Sequence, residues 1–253
     1  MKKISIIFLL LYTGFCAKAQ SFAFQNGEKI TYKVNYTVLG LYVNAGMASF
    51  TTARTNENGN IYHLVGEGAT NDRYDWIFKV RDRYESYIDA DNMQPVKFIR
   101  NVNEGKYKKY EEVAFNNSAN TVTTKKGTYK VPENIQDVIS TVYSMRNLDF
   151  SKYNQGDKIP VNMFFGSNIY NMYIKYAGKQ TLKTKYGTFK TIVLKPLLLD
   201  GNTFKGGENM TVWVTDDGNH IPVRIDSKLS VGSIKVDLET YENLKYPLAV
   251  AQN

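Results

Sequence analysis

Apolar and polar residues alternate with a period of two through most of this chain, the spacing that turns one face of a strand to a core and the other to water. On that pattern, strands are expected at Lys29 to Tyr36, Leu41 to Ala53, Ile61 to Glu67, Tyr84 to Asp89, Val96 to Glu104, Lys106 to Phe115 and Thr121 to Val131. A second series follows at Lys158 to Phe165, Ile169 to Ala177, Gln180 to Thr184, Thr188 to Leu199, Met210 to Thr215, Val223 to Lys228 and Ser233 to Tyr241. Turn clusters divide them. Asn56-Glu57-Asn58-Gly59-Asn60 and Asn103-Glu104-Gly105 are hairpin chemistry, because glycine and asparagine accept positive φ cheaply. Between the two series the period changes. Behind Pro132-Glu133-Asn134, Ile135, Val138, Ile139, Val142 and Met145 fall at helical spacing and predict one amphipathic helix near Asn134 to Arg146, with an apolar face on a sheet.

The two series echo each other. Gly27-Glu28-Lys29-Ile30 returns as Gly156-Asp157-Lys158-Ile159, and the stretch Tyr87 to Phe98 returns as Trp213 to Ile225 with one residue inserted. Both echoes are about 128 residues apart, which points to an ancestral duplication. The expected fold is therefore mainly β: antiparallel strands in two related halves, of curved-sheet or half-barrel type, with one central amphipathic helix. The expected divisions are a signal segment at 1–19, an N-terminal β half at 20–131, a connecting helix at 132–150 and a C-terminal β half at 151–253.

The N-terminus changes the setting. Lys2 and Lys3 precede an apolar run from Ile4 to Phe15, and Ala17-Lys18-Ala19 supplies the small-x-small pattern of a cleavable export signal, with Gln20 as the mature start. The run is too short for a bilayer, which takes roughly 20 residues, so no transmembrane segment is expected in the mature chain. Phe15 stands where a lipoprotein signal has a small residue, so Cys16 is expected to leave with the signal rather than carry an acyl group. The mature chain then has no cysteine, which excludes disulfides, thiol nucleophiles and thiolate metal sites. Export and a periplasmic location are the expectation.

With 19 Tyr and 13 Phe the composition suits pleated, half-buried surfaces. Removing residues 1–19 takes away three lysines and no acid, so the formal charge falls from +8 to +5. The densest basic run, Lys106-Tyr107-Lys108-Lys109-Tyr110, would split across two strand faces, and is read as a solvated or lysine-guarded strand rather than a nucleic-acid surface.

Catalytic patterns are missing. His63 and His220 are the only histidines, and neither adjoins an acid and a nucleophile in a recognisable motif. Asp216-Asp217-Gly218-Asn219 lacks the spaced ligands and closing glutamate of a calcium loop and reads as a tight turn. Glu111 and Glu112 point to opposite strand faces and cannot flank one glycosidic bond. The acids Asp72, Asp75, Asp82 and Glu85 alternate with Arg73, Arg81 and Arg83, as in surface ion pairs. No cofactor and no metal are expected.

Several separated segments resemble one family in one order. These are Asp82 to Asp89, Pro95-Val96-Lys97-Phe98, Glu104-Gly105-Lys106-Tyr107, Tyr186-Gly187-Thr188-Phe189, and Trp213 to Asp217 with Ile221-Pro222-Val223-Arg224-Ile225. Together they resemble the exported bacterial proteins of domain-of-unknown-function family 3108, for which no reaction is implied. The last hairpin alone also resembles the strand pair of LolA- and LolB-type lipoprotein carriers, whose half-barrels hold acyl chains under helices. The expectation is an exported envelope protein without catalytic activity that binds or carries a lipid or other apolar ligand. A scaffold or partner-binding module for an envelope protein comes second, and an enzyme acting on envelope glycans third. Ile135, Val138, Ile139, Val142 and Met145 should border the ligand cavity together with Tyr74, Trp76, Ile77 and Phe78, the crowded cluster of an irregular piece at Asp72 to Phe78.

Overall fold

The computed structural model describes residues 22–55, 60–199 and 206–251. The expected signal at 1–19 with Cys16, the start at Gln20 and the turn residues Asn56 to Gly59 lie outside the described residues. Eight strands come first: β1 (Lys29–Val38), β2 (Leu41–Thr55), β3 (Ile61–Thr70), β4 (Arg81–Asp89), β5 (Pro95–Glu104), β6 (Tyr107–Asn116), β7 (Thr121–Thr124) and β8 (Gly127–Lys130). One helix, α1 (Val138–Arg146), separates them from β9 (Lys158–Phe165), β10 (Asn168–Thr184), β11 (Gly187–Pro196), β12 (Met210–Thr215), β13 (Pro222–Lys228), β14 (Ser233–Glu242) and β15 (Val250–Ala251).

All strands belong to one antiparallel sheet in the order β8-β7-β6-β5-β4-β3-β2-β1-β14-β13-β12-β11-β10-β9, with β15 paired to β11 off this path. Each series is a plain meander, and the β1–β14 ladder, from Lys29 opposite Glu242 to Thr37 opposite Ser233, joins them. The sheet curls until its edges approach without pairing. The Tyr129 ring on β8 lies 5.5 Å from that of Phe164 on β9. The chain leaving β8 lies along β9 instead: the Gln136 amide donates to the Asn162 carbonyl at 2.9 Å, and the Phe164 amide donates to the Gln136 carbonyl at 2.8 Å.

The echoed segments occupy matching places. Gly27 and Gly156 both take positive φ just before β1 and β9. In the β4–β5 and β12–β13 hairpins the register slips at Tyr87/Ile88 and at Trp213/Val214, and Pro95 and Pro222 each open the second strand. Met93 and His220, two residues before those prolines, both sit in the left-handed region.

Of the boundaries that differ from the sequence expectation, three have a clear local cause. Thr121 to Val131 is two strands, because Lys125-Lys126 turn ahead of Gly127 at φ 142°. Ile169 to Ala177 and Gln180 to Thr184 are a single strand of 17 residues with a bulge at Ala177-Gly178, where Gly178 at φ 94° accepts what a side chain would resist. The helix starts at Val138 rather than Asn134, since Asn134 stands at φ 57° and Gln136 is committed to β9. Its true N-cap is Asp137, whose Oδ1 accepts from the Ile139 and Ser140 amides, both at 2.8 Å, while Ser140 Oγ accepts from the Asp137 amide at 2.9 Å.

The helix lies inside the curl. Ile139 and Tyr143 join Phe24, Tyr62, Leu64, Ile88, Phe98 and Val113 in the core of the N-terminal half. Gly66 makes that approach fit: a Cβ there would stand 2.9 Å from Ile139 Cδ1. A second cluster around Ile30, Tyr32, Phe189, Ile221 and Leu238 fills the seam between the halves, and a third around Phe150, Tyr176, Ile192 and Val214 lies in the C-terminal half.

Asp137 is fully buried, and burial pushes its carboxyl up to about 6, against the pull of the Ser86 hydroxyl and the helix amides. Because the folded value lies above the unfolded one, this group favours the fold most when protonated, below about pH 4, and that contribution is lost as pH rises through 6. Between pH 3 and 7 the wild type should therefore lose about 3 kcal/mol relative to Asp137→Asn. Denaturant unfolding of both proteins across that range measures it. A stability difference between them that does not change with pH overturns the assignment.

Candidate functional site

A cavity of about 560 Å³ runs along α1 between the helix and the inner face of the C-terminal half. Val138, Val142 and Met145 line it from the helix, and Ile174, Leu194, Val212, Ile225 and Val236 line it from the sheet. The three helix side chains are only half-buried although they sit in the interior. Close-packed cores leave no such space beside valine and methionine, so the protein's own side chains do not fill it.

One end of the cavity is closed. Phe150, Arg146, His220 and Ile30 stand there. Arg146 is 4% exposed and Glu28 1%, and they meet in a bidentate pair, Nη1 to Oε1 at 2.6 Å and Nη2 to Oε2 at 2.9 Å. The guanidinium also donates to the carbonyls of Asn219 (3.0 Å) and Ala23 (3.2 Å) and lies over the Phe24 and Tyr143 rings. His220 Nδ1 lies 2.7 Å from the Arg146 carbonyl. A carbonyl only accepts, so Nδ1 carries the proton and Nε2 is the ring's remaining hydrogen-bonding atom, with no partner among the described residues. Burial drives the Tyr32 hydroxyl far above its ordinary range, so it stays protonated beside this cluster.

The other end carries Phe165, Met172, Leu198 and Met210, all half-buried, and Leu199, which is 39% exposed; this less buried end is taken as the mouth. The cavity surface is thus almost wholly apolar.

The sequence-derived site residues separate into three groups. Val138, Val142 and Met145 line the cavity. Ile135 and Ile139 do not: both are buried in the N-terminal core, because Ile135 precedes the helix and Ile139 faces β3. Tyr74, Trp76, Ile77 and Phe78 lie away from it as well, in the connection between β3 and β4, with Trp76 83% exposed. The local reason is a clamp. Arg81 donates to Asp72 and bidentately to Asp75, holding the segment outward around a single 3-10 turn at Asp72–Tyr74. Sequence reading missed Glu28, Arg146 and His220; the echo containing Glu28 was visible, but nothing local pairs it with a residue 118 positions away.

The remaining charged groups sit largely in structural pairs. His63 Nε2 is 2.7 Å from Glu85, which also binds Arg83, and the His63 ring stacks on Tyr87. Glu111 and Glu112 turn to opposite faces, toward Arg100 and Lys97 respectively. Among the described residues no three His, Asp or Glu side chains converge as metal ligands, and no helix is long and apolar enough to cross a membrane.

Fold and cavity together define a barrel-like protein made of one curled antiparallel sheet with a helix inside it. The chain belongs to the DUF3108 family of proteins of unknown function, whose model matches residues 31–239. No curated protein matches it. Among solved structures it is similar to a β-barrel-like protein of domain of unknown function DUF1849 from Brucella abortus, at 10% identity and a TM-score of 0.59 over 87% of this chain and 99% of that one. A Bacteroides fragilis protein described as exported, with a YmcC-like fold, matches at 14% identity and a TM-score of 0.38, over 88% of this chain and 99% of that one. A Parabacteroides distasonis protein described as a lipoprotein matches at 13% and 0.39, over 87% and 98%.

Removing one member of a buried ion pair strands the other. Glu28→Gln should cost roughly 3 to 5 kcal/mol of unfolding free energy, and Glu28→Leu combined with Arg146→Met should recover most of it. Urea unfolding of the single and double variants checks both, and a single variant as stable as the wild type refutes the ion pair's role.

Proposed function

We propose that this protein is exported to the periplasm and works there as a non-enzymatic binding protein, holding a lipid acyl chain or another long apolar ligand between α1 and the C-terminal half of the sheet. The observation that carries this reading is the cavity itself. Its volume of about 560 Å³ falls within the roughly 300 to 1,000 Å³ of small-molecule sites. Its walls are aliphatic and aromatic, and Val138, Val142 and Met145 stay half-exposed inside it. Each methylene placed there gains about 0.8 kcal/mol on leaving water. His220 Nε2 and the Tyr32 hydroxyl at the closed end suit a ligand with one hydrogen-bonding head.

The matched hairpins and positive-φ residues of the two meanders support their descent from one duplicated unit. The two units differ in use: the first surrounds the buried face of the helix, and the second encloses the space on its other side.

Purification from the native envelope followed by organic extraction and mass spectrometry should recover an apolar ligand. Val142→Trp should abolish that recovery while unfolding stays cooperative. In a tight core the same substitution would instead cost roughly 1 to 3 kcal/mol by overpacking. Destabilisation with no ligand recovered from either protein overturns the binding reading in favour of a scaffold.

A further inference from the structure

We infer that the end of the barrel carrying the cavity mouth docks on an anionic lipid bilayer, so that the mouth faces the membrane. An antiparallel meander sends successive turns to alternate ends. The β1–β2, β3–β4, β5–β6, β9–β10, β11–β12 and β13–β14 connections therefore share one end, and it is also the end of Phe165, Leu198 and Leu199 at the mouth.

That end is where the strongly exposed large apolar side chains gather. Leu39 (97%) and Leu41 cap the β1–β2 turn, Trp76 (83%), Ile77 and Phe78 the β3–β4 connection, and Val231 the β13–β14 turn. Met47 and Tyr110 lie within strands, and among the described residues the opposite end has none. Single exposed apolar residues are ordinary, but a group gathered from several loops marks an interaction surface. These tips are held out rather than left loose. Arg81 clamps Asp72 and Asp75, and the Phe78 ring rests over Gly105 of the β5–β6 turn.

Charge selects the partner. Arg73, Lys79, Lys106, Lys108, Lys125 and Lys126 are exposed at the same end. Of the acids there, Asp72 and Asp75 are engaged by Arg81 and Glu208 by Lys175, while Asp82 and Glu104 lie against each other, so the exposed cations still outnumber the free carboxylates. Tryptophan and phenylalanine tips ringed by lysine match an interface of apolar chains beneath anionic headgroups.

The test is sedimentation of the full exported chain with vesicles of phosphatidylethanolamine and phosphatidylglycerol, against vesicles of phosphatidylcholine alone. Trp213→Phe leaves Trp76 as the reporter. Its emission should shift blue and be quenched by brominated lipid only with the anionic vesicles. Trp76→Ser with Phe78→Ser should weaken partitioning roughly tenfold or more with no change in unfolding midpoint, since both rings are exposed. Lys106→Glu with Lys108→Glu should weaken it most at low salt. Val142→Trp should bind vesicles like the wild type, which separates this surface from the cavity. Absence of vesicle binding, binding indifferent to the Trp76/Phe78 variant, or a Trp76 shift that follows protein concentration without lipid and so marks a second copy would each overturn the proposal.

Discussion

The rest of this structure is arranged around the buried pair between Arg146 and Glu28. Two charges taken fully out of water are costly, and their attraction compensates only when the geometry is good and the remaining donors are used. Here the carboxylate takes both guanidinium ends, and the carbonyls of Ala23 and Asn219 accept two of the other three hydrogens. The partners come from four separate stretches: the segment before β1, the last turn of α1, the β12–β13 hairpin and the segment at Phe22 to Phe24. No single ladder of the sheet joins all of these. The ion pair therefore sets where the C-terminal end of the helix lies, and with it the floor of the cavity.

The sheet imposes the second constraint. A curl of this many strands encloses more volume than its own inward side chains can fill, so something must enter it. In the N-terminal half the filling is complete, with Phe22, Phe24, Phe98, Ile139 and Tyr143 buried against each other. In the C-terminal half the inward residues of β10 to β13 line a space instead. A nine-residue helix has one side for each half, and it spends Ile139, Tyr143 and Arg146 on the first. Val138, Val142 and Met145 are left facing a gap that nothing among the described residues closes.

How much of this could be read beforehand follows from the range of each interaction. Strands such as Val96 to Glu104 were legible because period-two alternation is local, and the two-series echo falls on the β4–β5 and β12–β13 hairpins. The long β10 was not, since a bulge at Gly178 looks like a break in a one-dimensional pattern. The helix was seen but its start was misplaced. Pro132-Glu133-Asn134 resembles an opening, whereas the capping side chain is Asp137, with Ser140 in the position where glutamate would have advertised the box. Ile139 and Val142 belong to the same helical repeat, so no periodicity could say that one faces a packed core and the other a cavity. Trp76 and Phe78 read as cavity wall because aromatic residues usually bury themselves; an Arg81 clamp formed across nine residues holds their segment outward.

The same anchoring decides how the cavity can exchange its contents. Asp137 at one end of α1 is buried on Ser86 of β4, and Arg146 at the other is locked to Glu28. Swinging the helix aside would break a fully buried cap and a fully buried ion pair together, and stranding either buried charge costs roughly 3 to 5 kcal/mol. Passage at the closed end would also have to part His220 from the Arg146 carbonyl and Asn219 from Tyr246. At the rim, by contrast, Met172, Leu198, Leu199 and Met210 are half-buried or exposed, and moving them disturbs apolar contacts worth little individually. On the proposed reading a ligand would pass these side chains rather than the helix, which acts as a fixed wall and not a lid.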